Sequence, residues 1–261
     1  MGLLVRLQMT MRILKSNPFT DDYWHEELAF YGHPTVEPPA PLALDWPTIR
    51  GRCDDYLNVN MRFDKTPFPR LCENGRLWMS LTPMEVQSAA LALLLAHGHV
   101  VVGGLGLGYY ALRAAAKRDV KKVTVYEINP VLIAWFKKAF ARRKELAKIE
   151  IIEGDLREVC RGVKADLAFI DIYPALLGNE VITDSRLLRR KNEFTQYVYW
   201  GWERAWLDAL RHRLIKSTLF MPSYLLDFFQ RWQATTELRS NNALDKAFIK
   251  KAYAAVDLLY A

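Results

Sequence analysis

The residues of this chain that could do chemistry gather in one stretch. It opens on Val100-Val101-Val102-Gly103-Gly104-Leu105-Gly106-Leu107-Gly108, an apolar strand that runs into a glycine-rich turn and on into a helix beginning near Tyr109. Glycine is what a backbone needs where it bends sharply and approaches a ligand with no Cβ in the way. Glu127 closes the next predicted strand, where a carboxylate can accept both hydroxyl hydrogens of a ribose. Two more acids take the same place on later strands: Asp155 in Glu153-Gly154-Asp155-Leu156, and Asp171 in Asp166-Leu167-Ala168-Phe169-Ile170-Asp171. In an open parallel sheet the carboxyl ends of the strands line the ligand crevice, so turn and acids should converge on one adenosine-shaped site. Any one of these acids taken alone reads as a helix cap.

The elements that must position them are four apolar strands, Val100 to Val102, Val123 to Tyr126, Ile149 to Ile152 and Leu167 to Ile170, alternating with helical stretches. That alternation predicts an α/β fold, a Rossmann-like parallel sheet with helices on both faces. Its first helix opens at Thr82-Pro83-Met84-Glu85, read as an N-cap, a first-turn proline and a capping box, and runs to Ala96. This domain is expected over 81–261. Residues 1–80 are expected to form a small strand-containing N-terminal lobe. It holds a helix from Asp21 to Tyr31, a proline-dense linker from His33 to Pro47 without regular structure, a strand from Tyr56 to Phe63, and a β-hairpin turning at Asn74-Gly75. Beyond Pro174 the pattern predicts a helix from Glu193 to His212, whose aromatics Tyr197, Tyr199, Trp200, Trp202 and Trp206 are mostly packing residues. A strand at Ser217 to Met221 and helices at Tyr224 to Trp232 and Ala243 to Tyr260 complete the expectation.

Composition bounds the remaining classes. At 261 residues, 51% hydrophobic and 25% charged, the chain can bury a full α/β core and is neither disordered nor fibrous. A net charge of +7 favours anionic partners, and basic residues cluster at Lys137 to Lys144, at Arg186 to Lys191, and at Arg211 and Arg213. The ordinary reading is a mildly basic enzyme surface, with nucleic-acid binding a lesser alternative. The three cysteines have neither CxxC spacing nor the density of a disulfide scaffold, which points to a reducing, cytoplasmic setting. No metal site is expected: His25-Glu26-Glu27-Leu28-Ala29 begins like the zinc motif HExxH, but Ala29 stands where the second ligand must be. The start of the chain lacks a continuous apolar core and a cleavage site for secretion, and glycines and histidines break the apolar run from Ser88 to Ala116 before it could span a membrane.

On the glycine turn, Glu127, Gly154-Asp155 and Asp171, the stretch from Thr82 to Pro174 resembles the class I S-adenosylmethionine-dependent methyltransferase superfamily. The resemblance implies that Gly104, Gly106 and Gly108 lie against the methionine part and the sugar, that Glu127 holds the ribose, and that Asp155 bonds the adenine amino group. It implies also that Ile128 and Leu156 sandwich the adenine ring. The region is similar to the spermidine synthase branch in its Leu71-Cys72-Glu73-Asn74-Gly75 hairpin, in Met84-Glu85 at a helix start, and in Val102 where most methyltransferases carry an acid. It departs from true aminopropyltransferases at Leu107, Met84 and Pro174, each of which stands where that family has a carboxylate. Losing three carboxylates removes the charge complementarity that holds polyamine cations, so a methyl donor is favoured over a decarboxylated one.

The expected function is therefore S-adenosylmethionine-dependent methyl transfer to a small-molecule acceptor, with Asp171 as the proton-accepting catalytic residue and Tyr173 lining the acceptor pocket. Aminopropyl transfer is the first alternative. A nicotinamide-dependent oxidoreductase is another, since Gly106 to Ala111 fits GxGxxA, although Gly103 to Leu105 intervene between strand and motif. A non-catalytic, nucleic-acid-binding member of the fold is the last. Neither acceptor identity nor oligomeric state is legible.

Overall fold

The computed structural model describes residues 21–48, 50–53, 61–174 and 180–201. The expected strand at Ser217 to Met221 and the helices beyond it lie outside the described residues. Five strands, β6 (Gly98–Gly103), β7 (Val120–Glu127), β8 (Ile149–Glu153), β9 (Lys164–Ile170) and β10 (Glu193–Tyr199), form one parallel sheet in the order β10-β9-β6-β7-β8. The order reverses between β6 and β9. A parallel sheet opens a crevice at such a switch point, outside the carboxyl ends of the strands.

Alternation along the strands gives each face its own core. Val100, Val102, Val123, Val125, Leu167, Phe169 and Val198 belong to one apolar cluster with α3 (Tyr109–Ala116) and α4 (Pro130–Ala139). Val101, Tyr126, Ala168, Ile170 and Tyr199 belong to the other, with α5 (Leu156–Val159) and α6 (Glu180–Lys191). Side chains of successive strand residues point to opposite faces, so β-branched runs such as Val100 to Val102 serve both layers at once.

One expectation beyond β9 is corrected. The helix predicted from Glu193 is instead strand β10, pairing with β9 from Glu193 opposite Lys164 to Tyr199 opposite Ile170. Its aromatics suit a pleated surface, and Tyr197 and Tyr199 face one core while Val198 faces the other. The helix lies just before it, at α6, ending in Arg189, Arg190 and Lys191 as a helix C-terminus favours.

The N-terminal lobe contributes α1 (Asp21–Tyr31) and a three-stranded antiparallel sheet of β1 (Leu42–Asp45), β4 (Arg70–Glu73) and β5 (Arg76–Ser80). The β4–β5 hairpin turns at Asn74-Gly75 as predicted, both residues taking positive φ, 50° and 74°. The proline-dense segment is not wholly irregular: β1 lies within it, paired with β4. Strands β2 (Arg50–Cys53) and β3 (Met61–Asp64) pair separately, and β3 carries the end of the strand expected from Tyr56.

Among the described residues the lobe has no core of its own. Trp24, Tyr31, Phe68 and Leu71, all nearly solvent-free, share one cluster with α3, α4 and the sheet, each contributing roughly 2–3 kcal/mol by burial. Helix α2 (Pro83–Leu95) joins the two parts, and Thr82 caps it by accepting from Glu85 N at 3.4 Å. Glu27 on α1 is 2% exposed and accepts from Tyr109 Oη at 2.8 Å and Arg113 Nη2 at 2.9 Å, bolting the lobe to α3.

Candidate functional site

The turn after β6 is built from glycines at φ values that residues with a side chain rarely adopt: +87° at Gly104, +52° at Gly106 and +76° at Gly108. Space is the second demand. A Cβ on Gly104 would collide with the backbone oxygen of Asp171, one on Gly106 with Met79 Sδ, and one on Gly108 with the Phe136 ring. Backbone bonds then pin the neighbouring strand tips to the turn: Gly104 N donates to Tyr126 O at 2.8 Å, Asp171 N to Gly103 O at 2.8 Å, and Gly154 N to Glu127 O at 2.9 Å. The glycine turn, Glu127, Asp155 and Asp171 are thus on adjacent strand tips at one end of the sheet.

Glu127 is 8% exposed and is fixed by main chain on both oxygens. Leu105 N donates to Oε2 at 2.8 Å and Asn129 N to Oε1 at 2.8 Å. A carboxylate oxygen has two lone pairs, so each retains one acceptor position, and the pair suits a vicinal diol. Ile128, next in the chain, is 65% exposed and free to cover a planar ring.

Asp155 is partly spent. Its Oδ1 accepts from Arg157 N at 2.8 Å, capping α5, and both oxygens lie 3.4 Å from Arg157 Nη1. Arg157 is itself anchored by Asp184 of α6, with Nε 3.0 Å from both carboxylate oxygens. Leu156 is 3% exposed, and its Cδ2 lies 2.7 Å from where a Cβ on Gly103 would stand, so it packs beside the turn, in contrast to the exposed Ile128.

Tyr173 is 6% exposed within the core beneath α6, and its hydroxyl is buried beside those of Tyr197 and Ser185. Burial, then the neighbouring Tyr197, drives its ionisation far above the phenol range. Asp171 differs from both. It is half-buried and receives no hydrogen bond on its carboxyl among the described residues, and burial pushes its pKa from 3.8 up to about 7.

Several site residues carried no signal that a local pattern could supply. Leu107 has both peptide groups held by the N-terminal lobe, its N–H donating to Met79 Sδ at 3.1 Å and its carbonyl accepting from Tyr31 Oη at 3.0 Å. Asn129 Nδ2 donates to Glu73 Oε1 at 3.1 Å, tying the hairpin to the Glu127 turn. Glu85, read from sequence as half of a capping box, is half-buried and electrostatically coupled to Asp171. Burial first, then the charge of Asp171, raises its pKa from 4.5 to about 8, against a small lowering by Ser88.

The basic clusters are partly consumed inside the fold. Arg143 pairs with Glu145 at 2.9 Å and lies over the Phe30 ring, and Lys191 Nζ donates to Arg157 O at 2.8 Å. Among the described residues there is no group of His, Cys, Asp and Glu arranged to hold a metal, and no helix long and apolar enough to cross a membrane.

No protein-family model matches the chain, and no curated protein matches it. Solved structures do share local geometry with it. Precorrin-8W decarboxylase from Methanobacterium thermoautotrophicum is 26% identical over 43% of this chain and 59% of its own length, with a TM-score of 0.34. The CcbJ methyltransferase from Streptomyces caelestis is 20% identical over 41% of this chain and 49% of its own, with a TM-score of 0.35. DhpI in complex with SAM is 21% identical over 42% of this chain and 53% of its own, with a TM-score of 0.33. The chain thus spans about half to three fifths of these proteins, and at these scores what bears on its chemistry is the geometry of its own site.

Proposed function

We propose that this chain binds S-adenosylmethionine at the carboxyl end of its parallel sheet and transfers the methyl group to a small-molecule acceptor. The observation that carries the reading is Glu127, held by the N–H groups of Leu105 and Asn129 with one acceptor position left on each oxygen, beside a side-chain-free turn. In this reading Glu127 takes the ribose hydroxyls, Gly104 and Gly106 let the backbone approach the sugar and methionine part, and exposed Ile128 covers one face of the adenine. Asp155, already holding Arg157, keeps acceptor capacity for the adenine amino group.

Bound there, S-adenosylmethionine supplies a methyl group already activated by its sulfonium. The protein then has two tasks, to align the acceptor and to take a proton from it where the acceptor has one to lose. Asp171 fits the second. A carboxyl with a pKa of about 7 is a far better base near neutral pH than an ordinary aspartate, and the backbone of Asp171 packs against the glycine turn at the switch point.

Titration calorimetry with S-adenosylmethionine, S-adenosylhomocysteine, the decarboxylated donor and NADH tests the reading. Both adenosyl thioether and sulfonium should bind and NADH should not. Replacing Glu127 by Ala should cost about 2 kcal/mol or more, as expected for losing charge-assisted hydrogen bonds. Unchanged affinity in that variant removes the ribose assignment, and a preference for the decarboxylated donor turns the reading to aminopropyl transfer, which the hairpin docked on the glycine turn through Met79 keeps in view.

A further inference from the structure

Arg157 meets two carboxylates with a single guanidinium. Asp184 of α6, whose side chain is 7% exposed, takes one edge of that fork: Nε lies 3.0 Å from both of its oxygens and Nη2 lies 3.0 Å from Oδ2. Nη1 is the group that faces Asp155, at 3.4 Å from Oδ1 and 3.4 Å from Oδ2. A guanidinium is planar, so fixing the Nε and Nη2 edge also fixes the direction of Nη1. The end of α6 is in turn tied to α5, since Lys191 Nζ donates to Arg157 O at 2.8 Å and Asn192 Nδ2 to Cys160 O at 3.1 Å.

The acceptor positions of Asp155 are unevenly used. Oδ1 accepts from Arg157 N at 2.8 Å and from Nη1, which occupies both of its lone pairs, while Oδ2 accepts from Nη1 alone. Among the described residues, one acceptor position on Oδ2 is thus left for a ligand. Charge is divided unevenly too. Arg157 lies 3.0 Å from Asp184 and 3.4 Å from Asp155, so Asp184 answers more of the cation and Asp155 keeps more of its own charge. Without the charge on Asp184, the same guanidinium would be drawn to Asp155 alone and would compete for Oδ2.

We propose that Asp184 is a positioning residue for recognition of the donor's base. By holding the Nε and Nη2 edge of Arg157 it keeps Asp155 Oδ2 charged and open, and so sets how strongly the site selects a purine that carries an amino group. An amino N–H donates more strongly to an ionised carboxylate than to one already neutralised by a cation. This rests on the S-adenosylmethionine reading above, in which Asp155 meets the adenine amino group, and adds Arg157 and Asp184 to that site.

Calorimetry of the full chain compares S-adenosylhomocysteine with its analogue that carries hydrogen in place of the adenine amino group. The ratio of the two affinities isolates that group, because the ligands share everything else. The wild type should prefer the adenine compound about tenfold or more, the size expected for a hydrogen bond to a charged acceptor. Asp184→Asn keeps the shape of the side chain on α6 and should cut the preference about fivefold, by weakening the adenine compound and not its analogue. Arg157→Gln combined with Asp184→Asn removes the cation and its counter-charge together, and should return the preference to within about twofold of the wild type. A purely structural role gives a different pattern, in which both affinities fall together in Asp184→Asn and the double variant recovers nothing. Either an unchanged ratio in Asp184→Asn or a double variant without recovery overturns the proposal, and Asp184→Ser supplies the same ratio if the amide does not fold. A wild type that binds no S-adenosylhomocysteine sinks the donor reading, and one that binds both compounds equally sinks the Asp155 assignment, the role of Asp184 falling in both cases. An adenine preference indifferent to Asp184 sinks this proposal alone.

Discussion

Two strand tips of one sheet carry acids with opposite surroundings. Glu127, at the end of β7, is held on both oxygens by backbone N–H groups. Asp171, just past β9, has no hydrogen-bond donor on its carboxyl among the described residues and a pKa raised by burial to about 7. Main-chain donors fix a carboxylate in place and orient its free lone pairs, which is what recognition of a rigid diol needs. An acid buried without donors or cations sits close to its midpoint at neutral pH, which is what moving a proton or answering a ligand's charge needs. The same fold position thus serves holding on one side of the glycine turn and titration on the other.

The largest way to break the contrast is to break the turn that both acids share. Gly104→Ala adds a Cβ against Asp171 O at a φ of +87°, and should lower the melting temperature by ~10 °C or more, or leave the protein unfolded in circular dichroism. A melting curve close to the wild type would mean that the tips of β6 and β9 are not packed as described.

Glu127→Ala comes next. Besides weakening adenosyl ligands, it strands the N–H groups of Leu105 and Asn129, so denaturant unfolding should register a loss of about 1–3 kcal/mol even without ligand. Asp171→Asn should do the reverse in one respect. With no donor to lose, the variant should be as stable as the wild type below about pH 4 and more stable at pH 8 by thermal melting.

The sign follows from the shifts. Asp171 rises from 3.8 to about 7 and Glu85 from 4.5 to about 8, so both resist ionisation in the folded state. Their favourable contribution is complete below about pH 4 and is lost as pH climbs towards 8. Glu85→Gln should accordingly flatten the upper part of that fall, and equal melting profiles for wild type and variant would contradict it. The smallest effect belongs to Ile128, 65% exposed. Ile128→Ala should leave stability within about 0.5 kcal/mol while weakening adenosyl ligands a few-fold, and unchanged affinity would take the ring contact away.

Local pattern carried the reading of this protein a long way. The β-branched runs at Val100, Val123, Ile149 and Leu167 marked four of the five strands, and Asn74-Gly75 and Thr82-Pro83 marked a hairpin and a helix start. Each is a signal that lives within a few residues, where φ preferences and side-chain alternation act directly. β10 escaped because an aromatic-rich segment supports helix or strand equally until a neighbouring strand is there to pair with it.

What the sequence determined by itself was that a side-chain-free turn and three acids fall at successive strand ends, since strand, turn and helix each obey short-range rules. Only the tertiary structure decided how those acids differ. Arg157 and Asp184 claim part of Asp155, the core claims Leu156 and Tyr173, backbone donors claim Glu127, and Glu85 arrives beside Asp171 from a helix 86 residues earlier in the chain. Burial and electrostatic partnership depend on what packs alongside in space, and a linear order of residues does not contain that distance.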